Sequence, residues 1–233
     1  MLVFTVVLSG AAHADIRLQD DDSSRIHRLH VLMNHGLIMF LDGINLLMVA
    51  DMKMSPAFDE MTADYAKRNM AKGKKDIEQA LAGDHMEILV EQGFEDHPLM
   101  KAAKDMGRTM LELVYLLEDM EMDQFVSKHM DLHHMHLLLN KGLKDVASGS
   151  NMIMATLLSS IPQVDQYLQM HGRNMIKDGR ALIVGITQSD AYRRLQGKPD
   201  SPGGDRLVRQ TKQCVDLSLR IVDILARMEM GEE

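Results

Sequence analysis

The chain has 233 residues, a formal net charge of −8, only 4% aromatic residues and no tryptophan. An acidic balance with so few rings excludes a nucleic-acid surface, which needs basic patches and stacking platforms. One cysteine, Cys214, excludes an internal disulfide framework and a thiolate-cluster metal site, while 22 methionines imply an interior filled by flexible thioethers.

In chain order, residues 1–14 come first. Leu2 to Leu8 is apolar and small residues follow, ending in Ala12-His13-Ala14, the pattern of a cleavable secretory signal. Mature protein then begins at Asp15 and is expected in the periplasm, although no basic residue precedes the apolar run. The longest later apolar stretch is interrupted by Asn34, His35, Asp42 and Asn45, so no membrane span is expected.

Six helical segments follow: 22–54, 57–92 with a break near Gly83, 98–122, 124–159, 162–196 and 204–230. Long stretches of 3.6-residue period without alternating β-branched runs specify an all-α fold. Pro56, Pro98, Pro162 and Pro202 stand at the expected helix starts, where a missing backbone N–H costs little. Lys198 to Gly204 is the clearest loop.

The fourth segment repeats the first. His27, His30, Asn34, Gly36, Gly43, Asn45 and Met48 recur 106 residues later as His133, His136, Asn140, Gly142, Gly149, Asn151 and Met154. Pro56 recurs as Pro162, Arg68-Asn69-Met70 as Arg173-Asn174-Met175, and Met120-Glu121-Met122 as Met228-Glu229-Met230. The expected architecture is therefore an internally duplicated three-helix repeat, residues 15–123 and 124–233, forming one pseudo-twofold six-helix bundle. Cys214 takes the place of Met106 and is expected to be a buried small hydrophobe.

At 100° per residue, His27, His30, Asn34, Leu41, Asn45, Met48 and Met52 fall in one narrow stripe, with Gly36 and Gly43 on the opposite side. The rest of this helix is apolar nearly all round, so it should be central in the bundle. Each interior glycine costs about 1 kcal/mol relative to alanine, and repeating that cost suggests close approach of another helix. A buried imidazole or amide without a partner costs roughly 1–3 kcal/mol, so the polar stripe needs partners.

Two answers are open. The histidines and asparagines of the two copies satisfy each other across the pseudo-twofold axis, or they hold an ion. Histidines spaced i, i+3 leave one helix face together and can meet one metal, and His27, His30, His133 and His136 supply up to four imidazoles for a shared site. Carboxylates are not repeated in the way a di-iron bundle needs, since Asp42, Asp51, Glu112 and Glu118 align with Ser148, Leu157, Arg220 and Ala226. Imidazole with thioether suits copper instead, and Met33, Met39, Met48, Met135, Met152 and Met154 are near enough in sequence to extend a His site, with Met33, Met48 and Met154 taken as candidate ligands. Met–x–Met pairs inside a regular helix point apart and cannot share an ion; only Met120-Glu121-Met122 and Met228-Glu229-Met230, at helix ends, are candidates for weak surface sites.

The stretch Phe125 to His136, with Met130-x-x-His133-His134, resembles the histidine-pair segment of small Met- and His-rich helical copper-binding proteins of the bacterial periplasm. That resemblance implies copper ligation by His133 and His134 and implies nothing about catalysis; the first copy carries Arg28 in place of His134. The expected function is an exported metal-binding protein, most suited to copper, that buffers, stores or delivers the ion, alone or to another periplasmic protein. The alternative is a periplasmic helical adaptor or stress chaperone with methionine-rich surfaces and a structural His/Asn stripe. Non-covalent haem is disfavoured by the scarcity of aromatics, and the lack of a phosphate loop, a nucleophile elbow or a repeated acid/base pair argues against an enzyme. His85, His97 and His171 have no counterpart and are expected to be incidental surface residues.

Overall fold

The computed structural model describes residues 20–53, 55–120, 130–156, 161–197 and 206–230. Every regular element among them is helical: α1 (Asp20–Ala50), α2 (Pro56–Ala82), α3 (Asp84–Glu91), a 3-10 turn (Phe94–Asp96), α4 (Pro98–Glu118), α5 (Met130–Thr156), α6 (Pro162–Thr187), α7 (Asp190–Gln196) and α8 (Arg206–Met230). The all-α class is thus as expected. The expected signal, the loop at 198–204 and Pro202 lie outside the described residues, as do Glu121 and Met122.

Helix starts follow the local chemistry. Pro56, Pro98 and Pro162 open α2, α4 and α6, where their fixed φ suits the first turn. The expected break near Gly83 is present and separates α2 from α3. An unexpected break separates α6 from α7 at Gln188 and Ser189, where the Ser189 hydroxyl accepts from the Tyr192 N–H and caps the new helix. His97 is not incidental: its Nδ1 accepts from the Leu99 N–H at 3.3 Å and caps α4.

α1 packs most extensively on α2, and α5 on α6. These contacts are close because glycines meet. A Cβ on Gly36 would lie 2.6 Å from the Gly73 carbonyl oxygen, and one on Gly142 would lie 2.8 Å from the Gly179 oxygen. α4 returns antiparallel to α2, tied by Lys74 to Glu118 at 2.8 Å and by Tyr115 to Glu78. Two faces join the first three long helices to the rest, α1 against α5 and α4 against α8. Along the latter, Asp105 pairs with Arg220 and Asp119 with Arg206 and Gln210, so α4 and α8 are antiparallel.

The core is continuous, running through Met33, Leu37, Phe40, Ile44, Met100, Met106, Leu139, Val146, Val215 and Ile221. Methionines fill much of it, as the composition implied. Despite its interruptions, α1 over Arg25–Ala50 is long and apolar enough to cross a membrane by length and composition, a test that a core helix also passes. Asparagine and histidine lower hydropathy without adding charge, and half of that window is buried against neighbouring helices.

Candidate metal-binding histidine pairs

The polar stripes of α1 and α5 face each other. Asn34 donates through Nδ2 to Asn151 Oδ1 at 3.0 Å and to Ser150 Oγ at 3.2 Å, and Asn140 donates to Asn45 Oδ1 at 2.7 Å. Lys144 on α5 pairs with Asp42 on α1. In each of these contacts an early residue of one helix meets a late residue of the other, so α1 and α5 run antiparallel. The asparagines therefore find partners in the other copy of the stripe, as one of the two sequence-level answers required.

That direction separates the histidines. His27 and His30 lie near the start of α1, while His133 and His136 lie near the start of α5, at the opposite end of the seam. At 1.5 Å per residue the two pairs are about 28 Å apart along the helices. The expected convergence of four imidazoles on one site is therefore not formed, and the pairs do not hydrogen-bond each other. The cause is helix direction, which an i, i+3 pattern leaves open.

The same register brings methionines to the histidines. One turn beyond Asn34–Asn151, it sets Met154 opposite His30; one turn beyond Asn45–Asn140, it sets Met48 opposite His136. Both methionines are buried. Met33 follows His30 by one turn and its sulfur packs toward Gly107 of α4. His134 is split from this arrangement: His133 is buried, but His134 is exposed and lines a groove of about 330 Å³ with Asp131, Ala181 and Gly185. Adjacent helical residues diverge by 100°, so the His133-His134 pairing implied by the copper-protein resemblance is not brought together.

Within the first pair the imidazoles are close, and His30 is nearly excluded from water. The His27 and His30 rings meet edge-on with centroids 6.4 Å apart. His30 is 4% exposed, and its Nε2 is buried without a hydrogen-bond partner. Burial pushes its pKa down to about 3, with the neighbouring His27 acting in the same direction. Burial also lowers the pKa of half-buried His27. Both rings are therefore neutral at physiological pH, the form that coordinates metals.

The second pair differs. His136 is fully buried, burial and then His133 push its pKa down to about 3, and its Nε2 lies 3.1 Å from Thr211 Oγ1 on α8. The Thr211 hydroxyl proton goes to the Leu207 carbonyl at 2.8 Å, so Oγ1 accepts and His136 Nε2 carries the hydrogen. His133 is 8% exposed and its Nε2 has no hydrogen-bond partner. Thr211 was not anticipated as a site residue, since a threonine on an apolar helix face carries no spacing signal. Cys214 is a buried small hydrophobe as expected, its thiol 3.5 Å from the Met120 sulfur and its pKa raised by burial.

No group of three His, Cys, Asp or Glu side chains converges among the described residues. The donors available to an ion at either end are thus two imidazoles and thioethers. His85 is exposed, and the His171 ring lies tilted against Tyr167 with centroids 4.1 Å apart. Compared with protein-family models, curated proteins and solved structures, the chain matches none.

Proposed function

We propose that this is an exported metal-binding protein that buffers, stores or delivers copper, without catalysing a reaction, through the His pairs at the ends of the α1–α5 seam. The observation that carries this is His30. A neutral imidazole, nearly excluded from water and with Nε2 unpartnered, costs roughly 1–3 kcal/mol unless something binds it. Met154 across the seam and Met33 one turn away make the missing partner a soft or borderline cation, and thioether with imidazole suits copper. An architecture of two three-helix repeats in a pseudo-twofold six-helix bundle belongs to the same proposal. Its support is the reciprocal bonding of Asn34 with Asn151 and Asn140 with Asn45, and the matched glycine contacts of Gly36 with Gly73 and Gly142 with Gly179. Residues 1–14 act as the export signal, and α1 is the central helix of a soluble periplasmic bundle.

Elemental analysis of the protein purified natively from the periplasm, followed by copper titration, tests the function. Copper should be present or be taken up, and a His30→Ala, His136→Ala double variant should lose it. Unchanged stoichiometry in that variant would sink the site.

One observation favours the adaptor alternative. Phe58, Met61 and Tyr65 form an exposed stripe on α2, and Val164, Tyr167 and Met170 expose apolar surface on α6. A protein that takes up neither copper nor zinc but suppresses aggregation of an unfolded client, and loses this with Met61→Lys and Tyr167→Lys, would establish that role instead.

A further inference from the structure

The two ends of the seam carry different side chains, and several of the differences bear on what can bind, although Leu29 at the first end corresponds to Met135 at the second. Aligned by the 106-residue repeat, Met33 beside His30 corresponds to Leu139 beside His136. Aligned through Met106 and Cys214, the α4 face Met100, Ala103, Met106 and Met110 corresponds to Val208, Thr211, Cys214 and Ser218 on α8. All eight of these residues are buried. The α4 side of the first end is thus crowded with thioethers, while the α8 side of the second is aliphatic, hydroxyl and thiol, with Met48 and Met120 the sulfurs brought there from α1 and from just past α4.

The polar contacts divide the same way. Thr211 engages His136 Nε2 and fixes its hydrogen there. Ala103, in the corresponding position, has no group that can do this for His30, whose Nε2 stays buried and unpartnered. More sulfur donors thus gather at the end where His30 Nε2 is open. At the second end His136 Nε2 is already used by Thr211, while His133 Nε2 is buried without a hydrogen-bond partner.

We infer that the two ends have different tasks: the first, built from His27, His30 and Met33 with Met154 across the seam, is the single high-affinity site for a soft monovalent ion such as Cu(I), and the second is a hydrogen-bonded structural counterpart. This rests on the metal-binding function proposed above and assigns it to one end. Two neutral imidazoles and neutral thioethers bring no negative charge, which suits a monovalent soft cation better than a hard divalent one. At the second end, binding an ion through His136 Nε2 would require breaking the bond to Thr211 and moving that proton.

The test is anaerobic titration of the full mature chain with Cu(I), supplied with ascorbate and competed against a chromogenic Cu(I) chelator. Wild type should bind one ion per chain. His136→Gln should keep that ion at nearly unchanged affinity, and His30→Gln should lose it. Met33→Leu, which installs the residue of the other repeat at similar volume, should weaken binding about tenfold or more at an unchanged melting temperature. If His30→Gln fails to fold, Met33→Leu decides. X-ray absorption at the copper edge should show nitrogen and sulfur neighbours together. Two ions per chain, a loss in His136→Gln equal to that in His30→Gln, an unchanged Met33→Leu, or nitrogen neighbours alone would overturn the assignment while leaving copper binding intact. No Cu(I) uptake by wild type would overturn both.

Discussion

Acid should destabilise the protein through two particular imidazoles. His30 and His136 have folded pKa values of about 3, set mainly by burial, against about 6.5 in an unfolded chain. Between these values the unfolded state binds a proton that the folded state does not, so stability rises with pH across this window. The contribution is fully present above about pH 6.5 and is lost as pH falls toward 3. At pH 5 each histidine lies about 1.5 pH units inside the window, worth about 2 kcal/mol, so the two remove about 4 kcal/mol relative to neutral pH. That is a large share of the 5–15 kcal/mol typical of a domain. Urea unfolding at pH 7.5, 6 and 5 measures it directly. A His30→Gln, His136→Gln double variant keeps every carboxylate, so the acid-labile background cancels and its stability should fall by about 4 kcal/mol less over the same range. Parallel stability curves for variant and wild type would refute neutral, buried imidazoles as the source.

Three further outcomes follow from the packing. Gly36→Ala should lower stability by about 1–3 kcal/mol, because the new methyl meets the Gly73 carbonyl at 2.6 Å and backbone must move; Gly185→Ala, with nothing within 4 Å of its Cβ, should instead be neutral or stabilising by up to about 1 kcal/mol in thermal melts. A double-mutant cycle on Asn45 and Asn140 with alanine should give a coupling of about 0.5–1.5 kcal/mol in denaturant unfolding. Zero coupling would mean that this bond does not hold the seam. Ser189→Ala should cost about 1 kcal/mol and raise amide exchange first in α7, since the hydroxyl caps that helix at Tyr192.

Much of this molecule is legible in its residues alone. The absence of strand patterning, the prolines at 56, 98 and 162 and the break at Gly83 determine the helical class and several boundaries, because backbone geometry there is a local matter. The recurrence of glycines opposite the polar stripe also marks where helices approach, since a buried glycine in a helix costs stability unless a backbone needs its space. The capping role of His97 and the break at Ser189 were less visible: one is a histidine doing the work of serine, and the other lies inside an unbroken helical pattern.

Helix direction decided the rest. Periodicity assigns His27, His30, Asn34 and Asn45 to one face of α1, and a parallel or an antiparallel partner would bury that face equally well. The cross-seam contacts of Asn34, Asn140 and Lys144 show the antiparallel arrangement, which parts the histidine pairs and sets Met154, not His136, opposite His30. The bond from His136 to Thr211 was equally out of reach, because residues 75 positions apart meet through tertiary packing, not through spacing along the chain. The sequence by itself determined which side chains had to be buried together with a polar problem to solve. Tertiary structure decided which of them solve it for one another and left His30 Nε2 and His133 Nε2 without a hydrogen-bond partner among the described residues.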